Sequence, residues 1–264
     1  MSTHIVYVTI TDETYDYFGK NNLDRADLAK LNNALSDLGV EGVAYDIIFA
    51  RPSNPESDRL FKESIKHLGN VYLPVGFECS DKKRPFKWEE GSAYDRFRSE
   101  YLKNPIEEGN STPFYATRAL MQADAFIEGA YNTGHISVFS DPDGVYRHAV
   151  MLIKVGDQYM PTLTLAMFLD YARISFEEVV VEWGDKITIP AVKGSFLDDD
   201  VVIPIDENGR VFIPFAQKWN QGFKKMGAHS LIEYIKDENL RGNVTEFFEG
   251  SFVFIGDVAV GTSD

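Results

Sequence analysis

The sequence is short of the residues on which most enzyme chemistry depends. Cys79 is its single cysteine, so neither an intrachain disulfide nor a cysteine metal site can form. The five histidines, His4, His67, His135, His148 and His229, never stand two, three or four residues apart. That spacing argues against a histidine zinc site and predicts that each is a surface or hydrogen-bonded side chain. No Walker pattern and no dinucleotide glycine pattern follows a strand, so the loops that cradle nucleotide phosphates are missing. There is no Gly-x-Ser-x-Gly elbow for a serine hydrolase. Basic residues are outnumbered, 26 against 41 acidic ones, and the net charge of −15 repels phosphate backbones and anionic membranes. Nucleic acid is therefore set aside as a partner, while a cationic ligand or metal remains electrostatically permitted. No apolar run approaches the roughly twenty residues of a bilayer span.

What is present is the composition of a globular protein, with 44% apolar residues in 264, enough for a sizeable core. The β-branched run Ile5-Val6-Tyr7-Val8-Thr9-Ile10 reads as a first strand, ending at Thr11-Asp12-Glu13 and followed by a loop through Gly19. A helix opens near Asp24, with Leu28, Leu31, Leu35 and Leu38 on one face and Gly39 at its end. Residues 42–49 form a second strand, Ser57 and Asp58 open a second helix ending at Gly69, and 70–77 form a third strand. This alternation predicts right-handed crossovers and a parallel βαβαβ unit. Between about 79 and 113 the periodicity fails, apart from a short helix near 94–102, and the segment reads as an irregular insertion. Ala116, Leu120, Ala123 and Ile127 then outline a helix that stops at Gly129.

The later half is richer in strands, expected at 145–155, 179–182, 186–189, 201–205 and 210–214, with hairpin turns at Gly184-Asp185 and Asn208-Gly209. These strands are expected to be antiparallel. Ser230 and Glu233 have capping-box spacing for a helix reaching Lys236, and 251–255 reads as a final buried strand. The expected fold class is thus α/β: a parallel βαβαβ unit continuing into a mixed sheet, helices on both faces, in one domain over 1–264. The first strand begins within a few residues of Met1 and no closing helix follows the last one, which reads as a domain cut from a longer protein.

The acidic residues are the chemical candidates. Asp12 lies past the end of the first strand and Asp46 is placed within the second, where ligands of open α/β sheets gather. Together they suit a divalent cation or a cationic ligand; the competing reading has Asp12 capping a turn and Asp46 accepting from the backbone or Arg25. Asp198-Asp199-Asp200 reads as a solvated loop. Asp141-Pro142-Asp143-Gly144 has its glycine too early for a calcium loop, and Leu152 stands where that loop needs glutamate, so it reads as a tight turn. Arg147 is then placed to pair with one of its aspartates or to face a cavity.

That turn, in the form Asp141-x-Asp143-Gly144-x-x-Arg147, is followed by an apolar strand and by Tyr159-x-Pro161-Thr162-Leu163 opening a helix. The combination resembles the CHASE2 domain, the extracytoplasmic sensor of bacterial transmembrane receptors. Four other stretches agree in order: residues 5–13, the strand bearing Asp46, Pro204-x-Asp206-x-x-Gly209-Arg210, and Phe252-Val253-Phe254-Ile255-Gly256 with Ala259, Gly261 and Asp264. The family's Trp- and Pro-rich loop is replaced here by Lys20-Asn21-Asn22-Leu23-Asp24, Asp257 follows Gly256, and 79–113 has no family counterpart. The resemblance implies a non-catalytic sensor, extracytoplasmic in a membrane-anchored bacterial receptor. Its partners would be an unidentified small-molecule ligand, membrane helices and a cytoplasmic cyclase or protein kinase, in a homodimer, with no cofactor. Sheet geometry and charge, rather than the resemblance, place the expected ligand region at the strand-end cleft near Asp12, Arg25, Asp46, Asp143 and Arg147. The rival readings are a free-standing metal-dependent hydrolase using Asp12 and Asp46, and a solute-binding module with no receptor attached.

Overall fold

The computed structural model describes residues 4–20, 22–215 and 222–259. Asn21 in the Lys20–Asp24 loop, and Gly261 and Asp264 of the closing motif, lie outside the described residues. In chain order, β1 (His4–Ile10) leads to α1 (Asp12–Phe18), α2 (Arg25–Ser36), β2 (Gly42–Tyr45), α3 (Pro55–Leu68) and β3 (Val71–Ser80). Helix α4 (Ser92–Arg96) runs into a π-helical turn (Phe97–Tyr101), followed by β4 (Ile106–Glu108), β5 (Phe114–Leu120), α5 (Asp124–Ile127) and β6 (Asn132–His135). Next come β7 (His148–Val150), β8 (Leu152–Val155), β9 (Gln158–Pro161), α6 (Leu163–Ala172) and a 3-10 turn (Phe176–Glu178). Strands β10 (Val180–Glu182), β11 (Lys186–Ile189), β12 (Val201–Pro204), β13 (Arg210–Phe212) and β14 (Lys224–Gly227) precede α7 (Ala228–Lys236), α8 (Glu238–Phe248) and β15 (Ser251–Asp257). The fold is mixed α/β, as the alternation of elements predicts.

The chain divides into two compact units, the first comprising Met1–Pro74, Gln122–Tyr131 and Gln217–Asp264. Its strands are all parallel, in the order β14-β1-β15-β2-β3. Val6, Val8 and Ile10 point to one face of β1 and are buried with Leu31 and Leu35 of α2, Phe61 and Ile65 of α3, Leu231 of α7 and Phe248 of α8. The predicted βαβαβ unit is present. Its helices start where side chains satisfy orphan N–H groups: Asp24 accepts from Ala26 and Asp27 at the head of α2, and Asn54 accepts from Glu56 and Ser57 at the head of α3.

Several local expectations are corrected in this unit. The loop expected before Gly19 is helix α1, because Thr11 caps Thr14 and Gly19 takes the left-handed conformation at φ +64° that closes it. Helix α3 begins at Pro55, not at Ser57 or Asp58, since Pro at the first position and the Asn54 cap already form an N-terminus. Strand β2 ends at Tyr45, so Asp46 lies just beyond it. The Asp46 N–H still donates to the Ile255 carbonyl at 2.8 Å, but the Phe49 N–H turns to the Gln122 side chain instead of continuing the ladder. Helix α7 starts at Ala228, which puts Ser230 inside its first turn. Strand β14 and helix α8 have no counterpart in the sequence reading.

The second unit comprises Val75–Met121 and Asn132–Ala216. Here the far half of β3 pairs antiparallel with β5, β5 runs parallel to β8, and β8 returns antiparallel as β9. A four-stranded sheet, β12-β11-β10-β4, and the pair β13-β7 complete it. Its core gathers Leu152, Tyr159, Leu165, Leu169, Val181 and Ile187. The helix expected over 116–127 is not formed: Ala116 and Leu120 lie in β5, and the helical turn starts only at Asp124. A four-residue apolar spacing is also two periods of a strand, so the spacing alone does not separate the two. The strand expected over 145–155 is broken at Met151, whose N–H turns to the Gly209 carbonyl, which gives β7 and β8 different partners. Gly184 turns the β10-β11 hairpin as expected at φ +83°. Asn208-Gly209 does not close a β12-β13 hairpin. The Gly209 N–H donates to the Asp206 carbonyl, and β13 leaves to pair with β7. Within 79–113, β4 adds to β10 in parallel.

Candidate functional site

In the first unit four parallel strands finish on one edge, because their register is nearly level. Thr9 is opposite both Gly227 and Gly256, Ile10 is opposite Asp257, and Tyr45 is opposite Ile255. At or just past these positions stand Asp12, Asp46, Asp257 and His229. Asp12 stands in the first turn of α1, where a carboxylate complements the exposed N–H groups. Asp46 is exposed, its carboxylate makes no hydrogen bond or ion pair among the described residues, and partial desolvation holds it above the usual carboxylate range. A Cβ at Gly256 would be in ordinary contact with Asp46, 3.7 Å from its Cβ, so the two residues stand side by side.

The rest of this edge is closely bonded. The Tyr15 hydroxyl donates to Asp257, and burial together with that carboxylate pushes the phenol well above its ordinary value. Thr14 Oγ1 lies 3.1 Å from His229 Nδ1, and Glu13 Oε2 is 3.9 Å from His229 Nε2. Gly227 makes room for that ring, since a Cβ there would meet it at 2.8 Å. Thr14 and Tyr15 escape sequence reasoning because their partners, His229 and Asp257, stand 215 and 242 positions away, and Asp257 is visible only as an acidic residue after Gly256.

Arg25 does not join Asp46. It is 8% exposed, its Nη1 is 2.5 Å from Asp58 Oδ1, and its Nη2 donates to the Arg51 carbonyl. Its guanidinium lies over the rings of Phe126 (4.6 Å) and Phe49 (5.7 Å). The partner for Arg25 is thus an aspartate of α3.

In the second unit the Asp141–Arg147 segment is a tight turn. Gly144, at φ +81°, donates to the Asp141 carbonyl, and Asp141 donates to the Val145 carbonyl. Arg147 meets Asp143 through two bonds of 2.9 Å and reaches Asp141 at 3.4 Å. Asp141 also receives His148 Nδ1 at 2.9 Å, with Arg210 at 3.6 Å. The His148 hydrogen bond first, then Arg147, holds the Asp141 carboxyl below its usual range; the Arg147 hydrogen bond does the same for Asp143. The expected pairing of Arg147 with its aspartates is what the turn builds. Arg147 also borders an open apolar groove of about 540 Å³ with Tyr146, Phe212 and Phe215.

Asp200 accepts from the Ala191 N–H, a loop closure, and among the described residues no group of three or more His, Cys, Asp or Glu is arranged to hold a metal. His135 departs from the expectation of a surface or bonded histidine: it is 1% exposed and neither ring nitrogen makes a hydrogen bond of ordinary geometry among the described residues.

The profile of the CHASE2 domain matches residues 1–264, the whole chain. The chain belongs to the CHASE2 family. No curated protein and no solved structure matches it. CHASE2 domains are the extracytoplasmic, non-catalytic sensor domains of transmembrane receptors. No helix among the described residues is long and apolar enough to cross a membrane. Two of the motifs that carry the CHASE2 resemblance make local structural bonds. Asp206 accepts from the N–H groups of Asn208 and Arg210 and pairs with the Arg210 side chain at 2.7 Å, and Thr162, after the end of β9, caps α6.

Proposed function

We propose that this CHASE2 domain senses a small-molecule ligand outside the cytoplasm and relays its binding through membrane helices to a cytoplasmic effector such as an adenylate cyclase or a protein kinase, the receptor acting as a homodimer. The observation that carries the reading is the match of the entire chain to a sensor family. The open Asp46 carboxylate supports a contact for a cationic ligand group beside Asp12, where strand ends leave backbone and side chains exposed to a ligand. Arg147, held by Asp143 and bordering its groove, is the corresponding candidate in the second unit. Arg25, with its donors taken by Asp58 and Arg51, acts through the loops it joins. Binding then acts by favouring one of two receptor conformations, to the extent that the ligand prefers it.

The test replaces Asp46→Ala and Arg147→Ala separately in the receptor and measures effector output at normal expression. A shifted response in at least one supports the reading, and unchanged output in both rules out these contacts.

A further inference from the structure

We propose that the exposed apolar groove beside the Asp141–Arg147 turn is the contact between two copies of this chain, made around a two-fold axis with Phe215 of each copy seated in the groove of the other. The groove, of about 540 Å³, has walls that include Val145, Tyr146, Arg147, Phe212, Pro214 and Phe215. Its apolar side chains are turned to water: Phe215 is 71% exposed, Phe212 61%, Tyr146 55% and Val145 46%. An aromatic side chain carries roughly 150–250 Å² of surface, so the three rings alone present roughly 300–450 Å² in one place. Contiguous apolar patches of that size on a soluble protein mark a contact surface.

The patch follows from strand geometry. Val211 packs against the core of the second unit, and side chains alternate along a strand, so Phe212 faces outward. The Ile213 N–H donates to the Arg147 carbonyl at 2.8 Å, one step beyond the β7–β13 register, which lays Pro214 and Phe215 beside Tyr146 and Val145. The Asp141 N–H donates to the Val145 carbonyl at 2.8 Å, and the His148 ring meets the Phe212 ring edge-on at 5.7 Å. The walls are thus set by local bonds before a partner arrives, which lowers the ordering cost of docking.

Charge selects the occupant. The chain carries −15, so two copies repel each other over most of their surface. Here the repulsion is neutralised locally: Arg147 is the charged side chain of the groove wall, and Asp143 balances it through bonds of 2.9 Å, both side chains reaching solvent. Under two-fold symmetry every contact is repeated in reverse, so Arg147 of each copy faces Asp143 of the other and the two pairs attract. Shape agrees with charge. Phe215, the most exposed of these rings, is the projection and the adjoining groove is the recess, so one surface holds both halves of a self-complementary contact. A bilayer supplies no projecting ring for a recess, and a small-molecule site needs several convergent polar groups where this wall has one, already paired. A standard stable interface takes about 800 Å² per partner, roughly twice what the rings supply. The contact is therefore weak between free copies and effective between copies tethered at millimolar effective concentration.

This inference deepens the homodimer of the sensing reading and rests on it for its use in signalling, so association is measured on the 264-residue chain alone. Sedimentation equilibrium up to millimolar concentration is expected to show a reversible monomer–dimer equilibrium. Phe215→Glu and Tyr146→Glu, at positions too exposed to threaten folding, should each weaken association at least about tenfold, the scale of a lost aromatic anchor. Phe196→Glu, at an exposed ring that is not on the groove, should not. Arg147→Glu and Asp143→Arg, each with the circular dichroism of the parent, should fail to self-associate because like charges then face each other, and should associate when mixed. A chain that stays monomeric at millimolar concentration, or a dimer untouched by Phe215→Glu and Tyr146→Glu alike, overturns the proposal. So does a monomer that binds phosphatidylcholine vesicles and loses them in Phe215→Glu, which assigns the groove to a lipid surface. A dimer abolished by Phe215→Glu with receptor output unchanged keeps the contact and defeats the homodimer of the sensing reading; a monomeric chain whose receptor output responds to Asp46→Ala defeats the contact alone.

Discussion

Arg25 and Asp58 form an ion pair at 2.5 Å that ties the first residue of α2 to the first turns of α3, and both side chains are largely withdrawn from water. The same guanidinium donates to the Arg51 carbonyl and covers Phe126. One side chain thereby joins two helices and the segment that follows β2, on the side of the sheet where Asp46 stands.

Removing one member of such a pair leaves the other buried and uncompensated. Arg25→Ala is expected to destabilise the domain by about 3 kcal/mol. Arg25→Lys should recover little of this, because a lysine supplies neither the fork nor the planar face over Phe126. Urea unfolding at neutral pH measures both, and an Arg25→Ala variant as stable as the parent would show that the pair is not structural.

Gly134 has no space for a side chain. A Cβ there would lie 2.5 Å from Leu163 Cα and 2.6 Å from its nitrogen, both backbone atoms that cannot turn aside. Gly134→Ala should therefore cost about 3 kcal/mol or more as β6 and α6 are forced apart. A melting temperature equal to the parent's would contradict the close approach.

His135 makes stability depend on pH in a definite direction. Burial depresses its pKa from the ordinary 6.5 to about 3, against a weaker opposing pull from the Met151 backbone. The folded state thus refuses a proton that the unfolded chain accepts. The neutral ring's contribution is complete above pH 6.5 and is lost as the pH falls from there toward 3, at up to about 1.4 kcal/mol per pH unit. His135→Leu should flatten that part of the profile, and unfolding curves at neutral and mildly acidic pH compare the two proteins. A parallel decline in both would assign the acid sensitivity to other groups.

The Asp141–Arg147 turn separates a backbone effect from an electrostatic one. Gly144→Ala forces a Cβ into the left-handed region and should cost about 1 kcal/mol. Arg147→Ala, at an exposed pair, should change the melting temperature little at neutral pH. Because Asp141 and Asp143 have lowered carboxyl pKa values, whatever stability they contribute is present above the ordinary carboxylate range and fades as the pH falls through their lower folded values. If Arg147→Ala melts far below Gly144→Ala at neutral pH, the arginine carries more structure than its exposure indicates.

Much of the first unit can be read from the sequence because its information is local. Leu28, Leu31 and Leu35 recur at helical spacing, Asp24 caps the start of α2, which ends at Ser36 short of the Leu38 and Gly39 expected to close it, and Val6, Val8 and Ile10 alternate along β1, so each element carries its own period and most of its punctuation. The Asp141–Arg147 turn is legible for the same reason, since all its bonds span a few residues. Partner choice is not local. That β15 inserts between β1 and β2, that β14 flanks β1, that β13 leaves β12 for β7, and that Arg25 takes Asp58 rather than Asp46 are decided by which surfaces can be buried together and which backbone groups remain to be paired. The sequence by itself determined the alternating elements, the turns and the CHASE2 membership. Tertiary structure alone decided the strand order and the edge that gathers Asp12, Asp46, Asp257 and His229, because those depend on contacts between residues tens to hundreds of positions apart in the chain, whose pairing no local pattern encodes.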